Sequence, residues 1–160
     1  MVDIQQFCTF YVAGKLFGIE VERVQEIIRY QEMTHIPLAP REVAGLINLR
    51  GQIVPAIQLR RCLGMPDAAR DALPTNVVIR TEDGAVSLLV DDIGDVLDVD
   101  EDAFESPPDN LRGAMRQLIR GVYKLDRQIL MVLATETAIA VSTAPLAKSE
   151  ESGAISRFQD

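Results

Sequence analysis

Short β-branched and apolar stretches separated by turn signals recur along the chain, and this pattern restricts the folds open to it. Three pairs of stretches are typical of hairpins, namely residues 7–12 with 16–21, 76–81 with 85–90, and 118–125 with 128–133. Residues 96–99 form a further predicted strand. Roughly ten short strands with such frequent turns favour a β-barrel or a β-sandwich over a parallel α/β sheet.

A fourth hairpin is predicted inside INLRGQIVPAI (residues 47–57), an apolar run that contains one arginine and one glycine. Apolar residues flank Arg50-Gly51 on both sides, so these two residues predict a tight turn in which Gly51 supplies a positive φ. Arg50 then projects from the hairpin tip. Its guanidinium carries five fixed donors that suit a carboxylate or backbone carbonyls on a partner.

Other segments are less regular. Residues 22–30 place Val24, Ile27 and Ile28 at a spacing that fits either a helix or a twisted strand, and we favour the strand. Pro40 followed by residues 41–44 predicts one turn of helix. Residues 59–64 predict a brief helix that ends at a glycine.

Composition limits the class of protein. A chain of 160 residues with 48% hydrophobic residues can bury a core without disulfides, as one compact domain or two very small ones. The formal charge of -8 argues against nucleic acid or an anionic membrane as partner, so we expect protein partners. Two cysteines and no export signal indicate the cytoplasm. No apolar run is long enough to insert into a membrane.

Residues 36–65, IPLAPREVAGLINLRGQIVPAIQLRRCLGM, resemble the signature of the CheW family of chemotaxis coupling proteins. Upstream, FGIEVERVQEII (residues 17–28) resembles the second strand of that family and the segment after it. Downstream, VSLLVDDIGDVLDV (residues 86–99) resembles a strand pair in its second half. The resemblance covers residues 5 to 135, and its most specific element is GLINLRG followed by IVP.

The resemblance implies an all-β fold of two small five-stranded SH3-like barrels, side by side, with short helical turns and a groove between the barrels. Carried over to this chain, it implies one CheW-like domain over residues 1–145. The first barrel would span residues 15–80, and the second residues 81–135 together with the N-terminal strand. Residues 146–160, rich in serine and acidic residues, are expected to form a flexible tail.

The resemblance also implies a function. CheW-family proteins are adaptors without catalytic activity or cofactor. They link chemoreceptors, the methyl-accepting chemotaxis proteins, to the regulatory domain of the histidine kinase CheA, in the cytoplasm at receptor arrays beneath the inner membrane. Contact with the helical hairpin tip of the receptor falls here on Val21, Val24, Glu26, Ile27 and Gly45. The positions tied to receptor and kinase coupling are Asn48, Arg50 and Gly51.

This chain departs from the family pattern at two places. Gln58 stands where the family usually has an aspartate, which removes a common carboxylate. After the last strand the family tends to an acidic residue that opens a helix with leucines near its end. Here the segment TETAIAVSTAPLA (residues 135–147) is small and weakly amphipathic, so its contacts are open.

Two other functions stay open. The chain could be a detached regulatory domain of a CheA-type kinase, although Met1 followed at once by the first strand favours a free-standing adaptor. It could also be a small metallohydrolase that uses Asp91, Asp92 and Asp95. The only histidine, His35, has no partner at ligand spacing, so we assign no catalytic residue and no metal ligand.

Overall fold

The computed structural model describes residues 3–140 of the chain. In that part of the chain, ten strands make up two five-stranded sheets. The strands are β1 (Ile4–Val12), β2 (Lys15–Glu20), β3 (Val24–Ile28), β4 (Val43–Leu49), β5 (Gln52–Gln58), β6 (Thr75–Thr81), β7 (Gly84–Val90), β8 (Asp92–Asp100), β9 (Ile119–Lys124) and β10 (Ile129–Leu133).

The helices are short. Helix α1 (Leu59–Cys62) follows β5, α2 (Gly113–Leu118) precedes β9, and residues 135–140 are helical after β10. Two 3-10 turns, Val21–Arg23 and Glu101–Ala103, complete the elements. Across residues 3–140, none of the helices has the length and hydropathy to span a bilayer.

The two sheets have the same internal pairing. Sheet 1 has the order β8-β1-β2-β10-β9, and sheet 2 has the order β3-β6-β7-β5-β4. In both, the first two pairs are antiparallel, the third is parallel, and the fourth is antiparallel. The two sheets are therefore cyclic permutations of each other. Along the chain, sheet 2 has its edge strand β3 first, then the hairpins β4–β5 and β6–β7. In sheet 1 the hairpin β1–β2, the counterpart of β6–β7, comes before the edge strand β8 and the hairpin β9–β10.

Among the described residues, three apolar clusters stabilise the sheets. The largest draws side chains from both sheets and lies between them, with Phe10 and Phe17 from sheet 1 and Ile57 and Leu88 from sheet 2 all fully buried. A smaller cluster inside sheet 1 contains aromatic residues, and another inside sheet 2 is aliphatic. Because burial of apolar surface is the main stabilising term in folding, the shared cluster ties the two sheets together.

The predicted all-β fold of two five-stranded units is confirmed, but the predicted boundaries between the units are wrong at two strands. Strand β2, placed in the first barrel, pairs with β1 and β10 in sheet 1. Strand β7, placed in the second barrel, pairs with β6 and β5 in sheet 2. Both errors arise because each hairpin stays together while the parallel pairings reach far along the chain, where a local pattern gives no signal.

Two of the predicted local elements are found in the structure, and one is not. The hairpin turn at Arg50-Gly51 and the brief helix after Gln58 are present. The helical turn predicted at residues 41–44 is wrong, because β4 begins at Val43 and pairs with β5. The predicted flexible tail, residues 146–160, lies outside the described residues.

Candidate functional site

The candidate site begins where the chain passes from sheet 1 to sheet 2. Strand β2 ends at Glu20, the 3-10 turn Val21–Arg23 makes the crossing, and β3 opens at Val24. Val21 is half-buried. Val24 is also half-buried and packs against the cluster between the sheets. Ile27 is 40% exposed, which is high for a large apolar side chain on a strand.

The second part of the site is the tip of the β4–β5 hairpin. Arg50 and Gly51 both have positive φ, 52° and 86°, as a two-residue turn with the twist of the flanking strands requires. The Asn48 side chain stabilises this turn, since its Oδ1 accepts the Gly51 N–H at 2.9 Å. Asn48 therefore has a structural reason to accompany Arg-Gly, beyond any contact with a partner.

An ion pair joins the two parts of the site. The Arg50 guanidinium donates to the Glu26 carboxylate, and these residues belong to opposite edges of sheet 2. The hydrogen bond from Arg50 lowers the pKa of Glu26, and the same bond raises the pKa of Arg50. Sequence reasoning placed Arg50 correctly on an exposed tip but missed this partner within the chain.

Gly45, predicted to contact a receptor, is buried inside β4. A Cβ atom at this position would lie 2.8 Å from the Thr34 carbonyl oxygen and 3.0 Å from the Met33 Cβ. Thr34 exchanges two backbone hydrogen bonds with Leu46, both 2.8 Å long. Gly45 thus allows the chain beyond β3 to close against β4, which is a structural reason for glycine at this position.

Sequence reasoning missed one apolar residue of the hairpin. Ile53 on β5 is 59% exposed and lies opposite Asn48 in the β4–β5 register. A signal was available, because Ile53 is an apolar residue at the second strand position after the predicted turn. We define the candidate surface as Glu26, Ile27, Asn48, Arg50 and Ile53, with Val21 and Val24 at the crossing beside it.

Gln58, which stands where the family usually has an aspartate, lies at the start of α1. Gln58 accepts the Arg60 N–H at 3.4 Å and thereby caps α1. The Arg60 guanidinium instead binds Asp91, with nitrogen to oxygen distances of 3.0 and 2.6 Å. Asp91, from the crossing between β7 and β8, is thus the acid that Arg60 pairs with.

The aspartates of the metallohydrolase alternative do not converge. Asp91 is paired with Arg60, and Asp92 accepts the N–H of the next residue, Ile93. Asp95 uses its carbonyl to accept the Thr9 hydroxyl. Within the described part of the chain, no group of three or more His, Cys, Asp or Glu side chains is placed to hold a metal ion.

Fold and site together define an all-β protein of two permuted five-stranded sheets, with exposed apolar side chains and the Glu26–Arg50 ion pair on sheet 2. The family model of the CheW-like domain matches residues 6–142. The chain belongs to the CheW-like family.

Individual relatives agree with this assignment. The chain is 32% identical to "Chemotaxis protein CheW" of Treponema pallidum over 132 residues, which is 80% of this chain and 78% of that protein. It is 30% identical to "Chemotaxis protein CheW" of Bacillus subtilis, with 81% and 83% covered. The crystal structure of the scaffolding protein TtCheW from Thermoanaerobacter tengcongensis superposes with a TM-score of 0.73 at 26% identity, covering 83% of this chain and 89% of that one.

Proposed function

We propose that this chain is a coupling adaptor that binds the cytoplasmic helical hairpin tip of a chemoreceptor and the regulatory domain of a CheA-type histidine kinase. Membership of the CheW-like family supports this role. In the proposal the protein acts by assembly in the cytoplasm, at receptor arrays, without a cofactor and without catalysing a reaction. Receptor state would alter kinase activity through differential binding to the assembled complex.

One observation carries the proposal for the receptor: Ile27 is exposed on β3 directly after Glu26, which is paired with Arg50. An apolar side chain beside charged groups at a sheet edge suits the apolar face of a partner helix, with polar contacts at its rim. Asn48 and Gly51 would fix the shape of the hairpin that presents Arg50.

We also propose that the two sheets act as one domain. The cluster between them takes buried side chains from β1 and β2 of sheet 1 and from β5, β6 and β7 of sheet 2. Separating the sheets would expose that apolar surface to water. A receptor contact on one sheet and a kinase contact elsewhere would therefore be held at a fixed relative position.

The test measures binding of Ile27→Asp to a chemoreceptor cytoplasmic fragment and to the kinase regulatory domain, beside its thermal melt. Since Ile27 is already part-exposed, we expect a melting temperature close to that of the unmodified protein and receptor binding weaker by about tenfold or more, as for an anchor residue. Leu73→Asp is the matched control, because Leu73 is 66% exposed on the loop before β6 and does not belong to the candidate surface.

Unchanged receptor binding by Ile27→Asp would overturn the receptor assignment. Equal losses by Ile27→Asp and Leu73→Asp would show a general effect of added negative charge. Val24 is a poorer choice for this test, because it packs against the cluster between the sheets and a charge there also disturbs folding.

A further inference from the structure

Between residues 3 and 140 the chain crosses from one sheet to the other at two points, and each crossing has an ion pair. The first crossing is the turn Val21–Arg23 between β2 and β3. The second is Asp91, the single residue between β7 and β8. At each point the partner comes from the helical residues that follow the inner strand of a hairpin, after β10 at the first crossing and after β5 at the second.

The second crossing has the denser set of contacts. Arg60 of α1 donates to both carboxylate oxygens of Asp91, and one of these oxygens also accepts the Ala13 N–H at 2.7 Å. The same guanidinium donates to the Pro66 carbonyl at 3.0 Å. The Arg60 side chain is 16% exposed and that of Asp91 is 30% exposed. These contacts join elements of both sheets, so we assign this pair to the stability of the fold.

The first crossing is held by several separate contacts. Arg120 binds Glu20 at 2.9 Å just before the turn, and the Gln5 amide donates to the Glu22 carboxylate at 3.3 Å. Arg23 donates to the carboxylate of Glu136, in the helical residues 135–140, and Arg80 donates to the Glu22 carbonyl at 3.3 Å. The Arg23 side chain is 29% exposed and that of Glu136 is 65% exposed. The Arg23 Nε is buried and has no hydrogen-bond partner among residues 3–140, so Glu136 is its main polar anchor there.

Arg60 and Glu136 occupy corresponding places in the two sheets. The hairpin β4–β5 of sheet 2 can be aligned with the hairpin β9–β10 of sheet 1. In this alignment the pair Gly45 and Ala56 matches the pair Gly121 and Val132. Continuing along the chain from Ala56 and Val132, Arg60 and Glu136 are each the second helical residue. The two positions thus have the same structural role with opposite charges. Arg60 pairs with the acid Asp91 at the second crossing, and Glu136 pairs with the base Arg23 at the first.

Only the first crossing adjoins the candidate surface. Val21 begins the turn that contains Arg23, and Val24 follows it at the start of β3. We propose that Glu136 is a positioning residue for receptor binding, which acts by holding Arg23 and with it the turn Val21–Arg23 and the entry of β3. This inference rests on the proposed function. It assigns the helical residues after β10, which sequence reasoning left without a contact, to the receptor side of the protein.

The experiment uses the full chain and compares Glu136→Gln with the double variant Arg23→Glu/Glu136→Arg, which restores the pair with the charges exchanged. The readouts are affinity for a purified chemoreceptor cytoplasmic fragment, affinity for the kinase regulatory domain, and melting temperature. Glu105→Gln is the matched control, since it removes another exposed ion pair, that of Glu105 with Lys124 at 3.4 Å.

We expect Glu136→Gln to weaken receptor binding by about two- to fivefold, the range for losing one exposed ion pair. Kinase-domain affinity should stay unchanged, and the melting temperature should fall only slightly, since the glutamine amide oxygen can still accept from the Arg23 guanidinium. The double variant should recover most of the receptor affinity, and high salt should narrow the gap between Glu136→Gln and the unmodified protein.

Three results would overturn the positioning role and leave the adaptor proposal intact. Glu136→Gln could bind the receptor fragment normally, it could lose equal affinity for the receptor fragment and the kinase domain, or Glu105→Gln could lose as much receptor affinity as Glu136→Gln. Failure of the double variant to recover binding would overturn the positioning role as well. If the unmodified protein binds no receptor fragment, the proposed function fails, and the positioning role fails with it.

Discussion

Sheet 1 and sheet 2 share their strand pairing and the way in which the open side of each sheet is closed, but they differ in the charges at their hairpin tips. In both, a glycine on the outer strand of a hairpin lets the chain beyond the edge strand close against it. Gly121 of sheet 1 faces Phe104 and the Glu105 carbonyl oxygen, as Gly45 of sheet 2 faces Thr34. Glu105 exchanges two 2.9 Å backbone hydrogen bonds with Val122, the counterpart of Leu46.

The hairpin tips differ. When the two hairpins are aligned so that Gly45 coincides with Gly121, the turn Arg50-Gly51 of sheet 2 coincides with the turn Asp126-Arg127 of sheet 1. On the edge strands, Val24 and Ile27 of β3 correspond to Ile93 and Val96 of β8, so Glu26 corresponds to Asp95. Sheet 2 therefore has a base and an acid, Arg50 and Glu26, at these positions, and the two side chains are paired. At the corresponding positions sheet 1 has two acids, Asp126 and Asp95, with Arg127 next to Asp126 in the turn.

The comparison separates what the fold requires from what varies. The glycines and the backbone pairings recur in both sheets, which indicates that closing each sheet depends on them. The tip charge does not recur, so closure itself does not need Arg50. This contrast supports a binding role for Arg50. Four experiments test the comparison of the two sheets.

The largest effect is expected at the glycines. Gly121→Ala should lower the free energy of unfolding by about 3 kcal/mol and Gly45→Ala by about 2 kcal/mol, because the new Cβ meets backbone atoms that cannot move aside. That Cβ would lie 2.6 Å from the Glu105 oxygen at Gly121 and 2.8 Å from the Thr34 oxygen at Gly45. Denaturant unfolding measures both variants. Native-like stability of either variant would break the equivalence of the two sheets.

The second effect concerns the crossing at Asp91. Burial opposes ionisation of Asp91, but the hydrogen bonds from Arg60 and Ala13 prevail and hold its pKa below the usual value. Asp91→Asn should cost about 2 kcal/mol at neutral pH, because the buried part of Arg60 loses its charged partner. Asp92→Asn is the control, since an amide oxygen can still accept the Ile93 N–H.

The direction of the pH dependence follows from the lowered pKa. The stability that Asp91 contributes is fully present above the ordinary carboxyl pKa of about 4 and is lost as the pH falls through its lower value in the folded protein. The difference in unfolding free energy between unmodified protein and Asp91→Asn should therefore shrink below about pH 4. A constant difference down to pH 2 would contradict an ionised Asp91.

The third effect tests the tip charges. Arg50→Ala should reduce kinase activation in mixtures of receptor, kinase and adaptor by about tenfold, whereas Asp126→Ala should change it less than about twofold. Both residues lie on turns, so melting temperatures should change little. Arg50→Lys should rescue poorly, because an ammonium does not reproduce the planar fork. Full activation by Arg50→Ala would mean that the ion pair with Glu26 has no role in coupling.

The smallest effect is expected when sheet 1 receives the tip charge of sheet 2. Asp126→Arg places a base opposite Asp95, in the arrangement that Arg50 and Glu26 have in sheet 2. We expect a gain of about 0.5 kcal/mol or less at low salt, which is the usual size of an exposed ion pair. The gain should disappear in Asp126→Arg/Asp95→Asn. A gain that persists there would show that the two open sides are not equivalent.

Much of the fold could be predicted from local signals. Turn residues such as Arg50-Gly51 and Gly84, with alternating apolar residues beside them, identify the hairpins. The assignment of hairpins to sheets could not be predicted, because the parallel pairs β2 with β10 and β5 with β7 join residues far apart in sequence. Gly121 looked like any other glycine within a strand, since the chain segment that packs on it has no pattern of its own.

The candidate site was predictable in part. The resemblance to the CheW family identified Glu26 and Arg50 separately, and hairpin geometry explained the exposed arginine. Their ion pair depends on how sheet 2 curves to bring its edges together, and no spacing in the sequence shows this. Glu136 was missed for a related reason: a weakly amphipathic helix gives no indication that one of its residues reaches a crossing more than a hundred positions earlier.

The permuted order of the hairpins has a consequence for synthesis on the ribosome. Sheet 2 comes from one continuous stretch, Val24 to Val90, so every strand it needs emerges in succession and its contacts are comparatively local. Strands β1 and β2 emerge first, but their partner β10 emerges near the end. The early hairpin carries Phe10, Val12, Phe17 and Ile19, which belong to the cluster between the sheets. Until β10 has emerged, this hairpin can cover the apolar face of nascent sheet 2 with these side chains. Covered apolar surface is less prone to aggregate during translation.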